Sequence, residues 1–596
     1  MLVERRRSGL PVDLFARVGI AWAIVCALLI AVNWSAIAQT RLPDPDDMMR
    51  LAQVRDLIAG QSWFDLTQYR ADGVNGGVAM HWSRLVDIPL LLIILVLTPL
   101  FGAGAAETAA LVIVPLLTLG VAMLLAARIA WRLMGDEEAT LTAFILAVSI
   151  PVLFQLSPMR IDHHGWQIVC ALAAVNALMS RQPGTGGWML GASCAVWLAI
   201  SIEGLPLVAA IFGVLTLRWL RDRNQRGWLV GAIHSLTVVS AVVFLLTRGI
   251  GDLAAYCDAV SPVHLGMFAW GAVVLTLLGR LEPMPSALRL GGFGIAAAGA
   301  IGAMLYAAPQ CASGSFPWVD PLVREYWVAN VGESLPIWRQ DVGTALQYAI
   351  TPIIGMFAAL NLTQSSRDWL HRFWGDYTLI LIAAFAVSIF VARAGAVACV
   401  LAAPPIAWQV REWLRTIRLM KRPAPRLAAM FGVICALLPA FPMMLLASAI
   451  PAKASLMIGV VAAPSIKTTA CRVDIAASEV NALPKGEIYA PIDLGAHVLL
   501  ETGHTVVATG DHRGQDAMRM VIETALGSTQ DAQAALSERG TAYVAICPSL
   551  NETRLYKRSA PEGFAAQLVA GEAPDWLDPV EIPSTSGLSV WRIKRE

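Results

Sequence analysis

Apolar residues run through this chain in blocks of about twenty, and the polar residues gather between the blocks. A helix needs about 20 apolar residues to cross a bilayer, so each block predicts a membrane span. The first covers 14–37. Later blocks follow at 108–127 and 139–157, and so on to 427–449. One shorter run, "VDIPLLLIILVLTPLFG" at 86–102, carries two prolines. About thirteen spans result over residues 1–452. Residues 453–596 break the pattern. There the short segments "EIYAPIDL", "HTVVAT" and "TAYVAIC" predict strands, and 514–526 and 529–539 predict helices. The chain therefore reads as a polytopic α-helical membrane protein with a C-terminal soluble α/β domain.

Charge between the blocks orients them. Arg5, Arg6, Arg7 and Arg17 place the N-terminus in the cytoplasm. The apolar run behind them has no obvious cleavage site and reads as a retained span, not a signal peptide. Arg128 and Arg132 follow the 108–127 block. They reach the cytoplasm only if 86–101 does not cross, so that run is expected to be interfacial or re-entrant. Arg181, "RWLRDRNQR", Arg280, Arg289, "SSRDWLHR" and "REWLRTIRLMKRPAPR" then all fall inside. The outer face keeps loop 38–107, the stretch "RIDHHGW", loop 308–345 and the C-terminal domain. A bacterial inner membrane with a periplasmic C-terminal domain is the expected setting.

Composition agrees: 15% of residues are charged, against about 25% in soluble proteins. A net charge of +1 argues against nucleic acid as a partner. The nine cysteines form no CxxC pair, so no zinc or redox motif is signalled. Cys471 and Cys547, the two in the soluble domain, can pair in an oxidising periplasm.

The chemistry-bearing residues crowd the outer loops. Asp44, Asp46 and Asp47 in "DPDDMMR" suit a hard cation such as Mg²⁺ or Mn²⁺, or simply a proline-containing turn. In "IDHHGW", Asp162 and His164 combine a carboxylate with an imidazole, a pairing that divalent metals accept. Asp162 also suits a helix cap, which leaves two histidines unaccounted for. His81 lies in "AMHWSRLVD", Glu203 in "SIEGLP" and Glu333 in "VANVGESLPIW". Arg393 stands alone beside an apolar outer turn, either snorkelling or holding a phosphate-bearing lipid head.

Together these features resemble the catalytic subunit of oligosaccharyltransferase, above all its archaeal single-subunit form, within the GT-C glycosyltransferases. Asp46 stands nine residues before Arg55, as the family's first-loop aspartate precedes an arginine. "MHWSRLVD" is similar to a later first-loop stretch, bringing in His81 and Trp82. Asp162-His163-His164 matches a DHH motif whose aspartate and second histidine bind metal. "VGESLP" resembles the fifth-loop motif and implicates Glu333, and Arg393 looks like the arginine that holds the lipid phosphate. The resemblance implies a divalent metal, Mn²⁺ or Mg²⁺, held among Asp46, Asp47, His81, Asp162 and His164. Asp46, Asp162 and Glu333 would be catalytic.

One motif departs. The family reads its Asn-X-Ser/Thr acceptor with a Trp-Trp-Asp-Tyr-Gly segment. The nearest stretch here, "APIDLGAHVLLETGHTVVATGDHRG", keeps Asp493 and Gly495 but neither tryptophan nor the tyrosine. Asp493, His512 and Arg513 are its candidate acceptor-binding residues. The expected activity is metal-dependent transfer of a sugar or oligosaccharide from a polyprenyl-phosphate-linked donor to a lipid or glycan acceptor on the periplasmic face. Asparagine-linked protein glycosylation is the runner-up. A transporter of lipid or glycan is the reading from another class, disfavoured because transporter charges lie at mid-bilayer.

Overall fold

The structure is a computed structural model that describes residues 12–313, 318–442 and 471–594. Among the described residues, ten helices are long and apolar enough to cross a membrane, by length and composition. Counting the bent pair Asp136–Val148 and Ile150–Leu156 as one makes eleven. That pair turns by 70° where Ser149 leaves helical geometry ahead of Pro151, which has no N–H to donate. Helices His164–Ala177, Pro183–Ile200 and Pro423–Leu437 complete the bundle. The end of the last expected span, 438–449, and the link up to residue 470 lie mostly outside the described residues.

Small residues let the bundle close around the site. Gly187 and Gly191, four apart on helix Pro183–Ile200, face helix Arg226–Thr247 so closely that a Cβ at Gly191 would lie 2.1 Å from the Ala232 carbonyl. The same helix carries buried Trp197 toward the candidate site and leads into the turn that holds Glu203.

The 86–101 run forms one continuous helix, Arg84–Phe101, long and apolar enough to cross by length and composition. Its surroundings bear on the interfacial expectation. At its start the Arg84 guanidinium donates to the Trp63 and Asp65 carbonyls of the first loop. Just past its end Glu107 pairs at 2.6 Å with Arg55, on the first-loop helix Pro45–Ile58, and Arg55 also donates to the Leu500 carbonyl of the soluble domain. Both ends of the helix thus meet the same layer of loops.

The soluble domain is α/β, as its alternation predicts. The first loop carries the antiparallel pair β1 (Thr67–Gln68) and β2 (Val78–Ala79), and the domain's five-stranded sheet runs β4 (Thr505–Val506), β3 (Glu487–Tyr489), β5 (Tyr543–Ile546), β7 (Ser589–Ile593), β6 (Leu577–Pro579). β3 is parallel to β4 and β5, whereas β7 is antiparallel to β5 and β6. Alternation along β5 divides its side chains between two cores. Tyr543 and Ala545 join Met48, Leu51 and Val54 of the first-loop helix and Leu111 of the bundle. Val544 and Ile546 join the domain's own outer helices and Val319 and Val323 of the long loop. Backbone contacts add to this seam: Val506 donates to the Arg70 carbonyl and Asp72 to the Val506 carbonyl. The domain is therefore seated on the first loop through a shared apolar core.

Two disulfides are present. Cys471–Cys547 joins the two cysteines of the soluble domain, and Cys257–Cys311 ties the 248–261 loop to the start of the long loop. The other five cysteines lie in the membrane helices.

Candidate active site

The first loop and the DHH stretch are built as one unit. Asp44 caps helix Pro45–Ile58, accepting from the Asp46 backbone N–H at 3.0 Å, with Pro45 in the first turn where its missing donor costs nothing. One turn in, Asp47 is fully buried and accepts the N–H groups of Ile161 at 2.7 Å and Asp162 at 2.9 Å. Asp47 thus fastens the second motif to the first. Asp162 splits its carboxylate: one oxygen accepts the His164 N–H at 2.9 Å, at the start of the following helix, and the other meets Arg160 at 2.9 Å.

Arg160 is the residue that sequence reasoning passed over. Its buried guanidinium stands among Asp162, Asp44 at 3.2 Å and Asp47 at 3.5 Å. The signal was available: three crowded aspartates need an internal cation, and Arg160 sits two residues before Asp162. Met159, just before it, has φ +74°, an uncommon conformation for a residue with a side chain and one met at functional turns.

Asp46 is left without such a partner. Burial, followed by the charges of Asp44, Glu333 and Asp162, pushes its carboxyl well above the ordinary range. Glu333, in the 3-10 turn Gly332–Ser334, behaves oppositely: burial works against ionisation, but His164 and Arg393 hold its carboxyl well below the ordinary value. Glu333 meets Arg393 at 3.2 Å and His164 Nε2 at 3.5 Å, and Arg393 also pairs with Glu203. Arg393 Nε, His164 Nε2 and His163 Nδ1 are buried without a hydrogen-bond partner. On its far side His164 Nδ1 faces the Gln167 amide at 3.2 Å, which in turn accepts the Trp197 indole N–H at 3.0 Å. That chain fixes the ring orientation.

Part of this cluster borders a cavity of about 1550 Å³ between the bundle and the soluble domain, with Asp162 and His164 set behind its lining. Asp44, Asp46, His81, His163, Glu203, Glu333, Arg393 and Asp493 all line it. Carboxylates beside imidazoles with unbonded buried nitrogens form a donor set that fits a divalent cation. Ligand atoms of His163, His164 and Glu203 lie within 4.8 Å of one another.

His81 is placed differently from the expectation that it joins Asp46 and Asp162. It meets Asp511 of the soluble domain at 3.3 Å and its ring lies 4.5 Å from that of His512. His512 and Arg513, expected at the acceptor, both engage Asp258 of the 248–261 loop, at 2.7 and 2.8 Å. Burial opposes ionisation of Asp258, but Arg513 and His512 pull its carboxyl far below the ordinary range. His81, Asp258 and His512 again bring ligand atoms within 4.8 Å. Arg513 already occupies both Asp258 oxygens, so the cluster works as an electrostatic clasp between loop and domain. Asp493 does reach the cavity; burial and then the charge of Asp44 raise its carboxyl to about 6.

Neither a protein-family model nor a curated protein sequence matches the chain. Solved structures of the oligosaccharyltransferase AglB from Archaeoglobus fulgidus are similar to it. One, tethered to an acceptor peptide containing an NVT sequon, gives a TM-score of 0.65 at 13% identity, over 98% of this chain and 74% of that one. Another, with an inhibitory peptide and dolichol-phosphate, gives 0.64 at 14% over 95% and 72%. A third, with zinc and sulfate, gives 0.59 at 14% over 94% and 71%. The chain therefore has the fold of this archaeal oligosaccharyltransferase.

Proposed function

We propose that the protein is a metal-dependent glycosyltransferase that takes a sugar or oligosaccharide from a polyprenyl-phosphate-linked donor and passes it to a lipid or glycan acceptor. The observation that carries this reading is Arg393. Its guanidinium is braced by Glu203 and Glu333, its Nε is buried and unbonded, and it faces a cavity where bundle and soluble domain meet. A phosphate oxygen suits that donor. The arginine-rich loops and the confinement of both disulfides to loops and soluble domain support a periplasmic site on a bacterial inner membrane.

Asp46, Asp162 and His164 would hold the cation, with His163 and Glu203 beside them. When bound, a divalent ion supplies neutralisation of the charge that develops on the leaving phosphate. Arg393 orients the donor phosphate, and Glu333 keeps Arg393 in place from the long loop. The acceptor oxygen attacks the anomeric carbon as the bond to the phosphate oxygen breaks. That electron pair stays on the phosphate, and the acceptor's proton passes to the Asp46 carboxylate acting as base. AglB has been captured with dolichol-phosphate and, separately, tethered to a sequon peptide; this favours asparagine-linked transfer as the second reading.

The test uses purified protein with a radiolabelled polyprenyl-phosphate sugar and a membrane lipid extract. Asp162→Asn and His164→Ala should each keep the melting profile and lose transfer. Wild-type turnover in both variants without added metal overturns the site; absence of donor binding by the wild type overturns the activity.

A further inference from the structure

Three cations of the soluble domain lack a counter-charge. Arg554, Lys557 and Arg558 lie exposed on helix Asn551–Ser559, and make no ion pair or side-chain hydrogen bond among the described residues. Most of the domain's other cations are paired: Arg472 with Asp474, Arg513 with Asp258, Arg519 with Glu523, Arg539 with Glu487, Lys594 with Asp578. Spacings of three and four place the three on one helix face. That face borders the cavity that Arg393 and Glu333 border from the bundle side. The helix's own acid does not serve them. Glu552 is buried and turned inward, accepting the N–H groups of Ile492 at 2.8 Å and Asp493 at 2.9 Å and the Tyr556 hydroxyl at 2.6 Å. The helix dipole favours Lys557 and Arg558 in the last turn. It does not account for Arg554, nor for a row of like charges opening on the reaction cavity.

We infer that the acceptor is anionic: a saccharide or lipid headgroup bearing phosphate, held by Arg554, Lys557 and Arg558 while the donor phosphate sits at Arg393. The inference rests on the transferase reading above. Guanidinium groups pair with phosphate oxygens through two parallel N–H donors, and a lysine in the same row adds a point charge. Two anionic seats on opposite walls of one cavity would set the acceptor's orientation before transfer.

The experiment measures probe binding by calorimetry on the full chain in uncharged nanodiscs, in an Arg393→Gln background that silences the donor seat. Glucosamine 6-phosphate and dihexanoyl phosphatidic acid are the probes, against glucosamine and dihexanoylglycerol. At least one phosphate probe should bind, the uncharged counterparts should not, and the probe that binds shows whether the phosphate belongs to a sugar or a lipid. Arg554→Gln/Lys557→Gln/Arg558→Gln should weaken it by about tenfold, as should raising salt from about 50 to about 300 mM. Lys485→Gln/Arg592→Gln, at cations that do not border the cavity, should leave it unchanged. The inference is overturned if neither phosphate probe binds, if the triple variant binds as its parent does, or if the control pair loses as much. Polyprenyl-phosphate binding, measured on the chain with Arg393 intact, separates the two readings. If it persists, only the acceptor inference falls; if it is absent, the transferase reading falls as well.

Discussion

Asp46 and Asp47 are neighbours in sequence with opposite tasks. Asp47 accepts two backbone N–H groups and lies beside Arg160. Asp47→Ala leaves those buried donors unsatisfied, and should cost about 2–4 kcal/mol, read as a lower melting temperature. Asp46 is crowded by like charge, so Asp46→Asn relieves repulsion. It should keep or slightly raise the melting temperature at neutral pH while lowering transfer by about a hundredfold or more. The reverse assignment of stability and activity would exchange their roles. Asp493 gives a pH signature. Its carboxyl is raised from 3.8 to about 6, so over that window the folded chain holds a proton that the unfolded chain has released. Its contribution to stability is therefore present below about pH 4 and lost as pH rises toward about 6. Asp493→Asn should remove that part of the slope, and equal slopes in melting-temperature profiles of the two proteins would rule it out. Residue types were legible from sequence, but partners were not. Nothing in "MHWSRLVD" says that His81 turns to Asp511, because that contact spans 430 residues.

Periodicity and charge located the helices well, since a bilayer-length apolar block allows little else. The mixed sheet was harder. β3, β4 and β5 showed through their alternation, whereas β6 and β7 did not: "LDP" is too short to alternate and "SVWRI" carries an arginine. Cys257–Cys311 was equally hidden, its halves lying in two loops brought together only by the bundle. Helix Arg84–Phe101 is the element where length and environment point in different directions. Its length allows a crossing. Its two ends meet the same loop layer, and Leu92, Leu95, Val96, Leu100 and Phe101 remain exposed, as an interfacial helix facing lipid would leave them. We expect it to lie along the outer surface, so that Ala105 is outside and Asp136 inside. Single cysteines at those positions, treated with a membrane-impermeant reagent on intact cells, should label at Ala105 and not at Asp136. Labelling at Asp136 but not at Ala105 would establish a full crossing.

At the scale of the molecule, the soluble domain closes the site by sharing an apolar core with the first loop, and this decides what the domain can recognise. The family resemblance pointed to a segment where Trp-Trp-Asp-Tyr-Gly reads a sequon hydroxyl. Here Pro491, Ile492 and Leu494 occupy the tryptophan and tyrosine positions, and all three are buried. Leu494 packs into the core shared with the first loop, and Ile492 into the core under the domain's outer helices. Gly495 is explained locally, since a Cβ there would lie 2.1 Å from the Ala508 carbonyl. Of the segment, only Asp493 is left to meet a ligand. A pocket built to hydrogen-bond a hydroxyl discriminates strongly through the groups it presents, and apolar side chains turned into two cores present none. We therefore expect that an Asn-X-Ser/Thr peptide is not the acceptor. Purified protein supplied with donor, Mn²⁺ and a sequon peptide, with a lipid extract in parallel, should modify the extract and leave the peptide untouched. Efficient glycosylation of the peptide, abolished by Asn→Gln within it, would make the protein an asparagine-linked oligosaccharyltransferase, with Asp493 carrying the recognition alone.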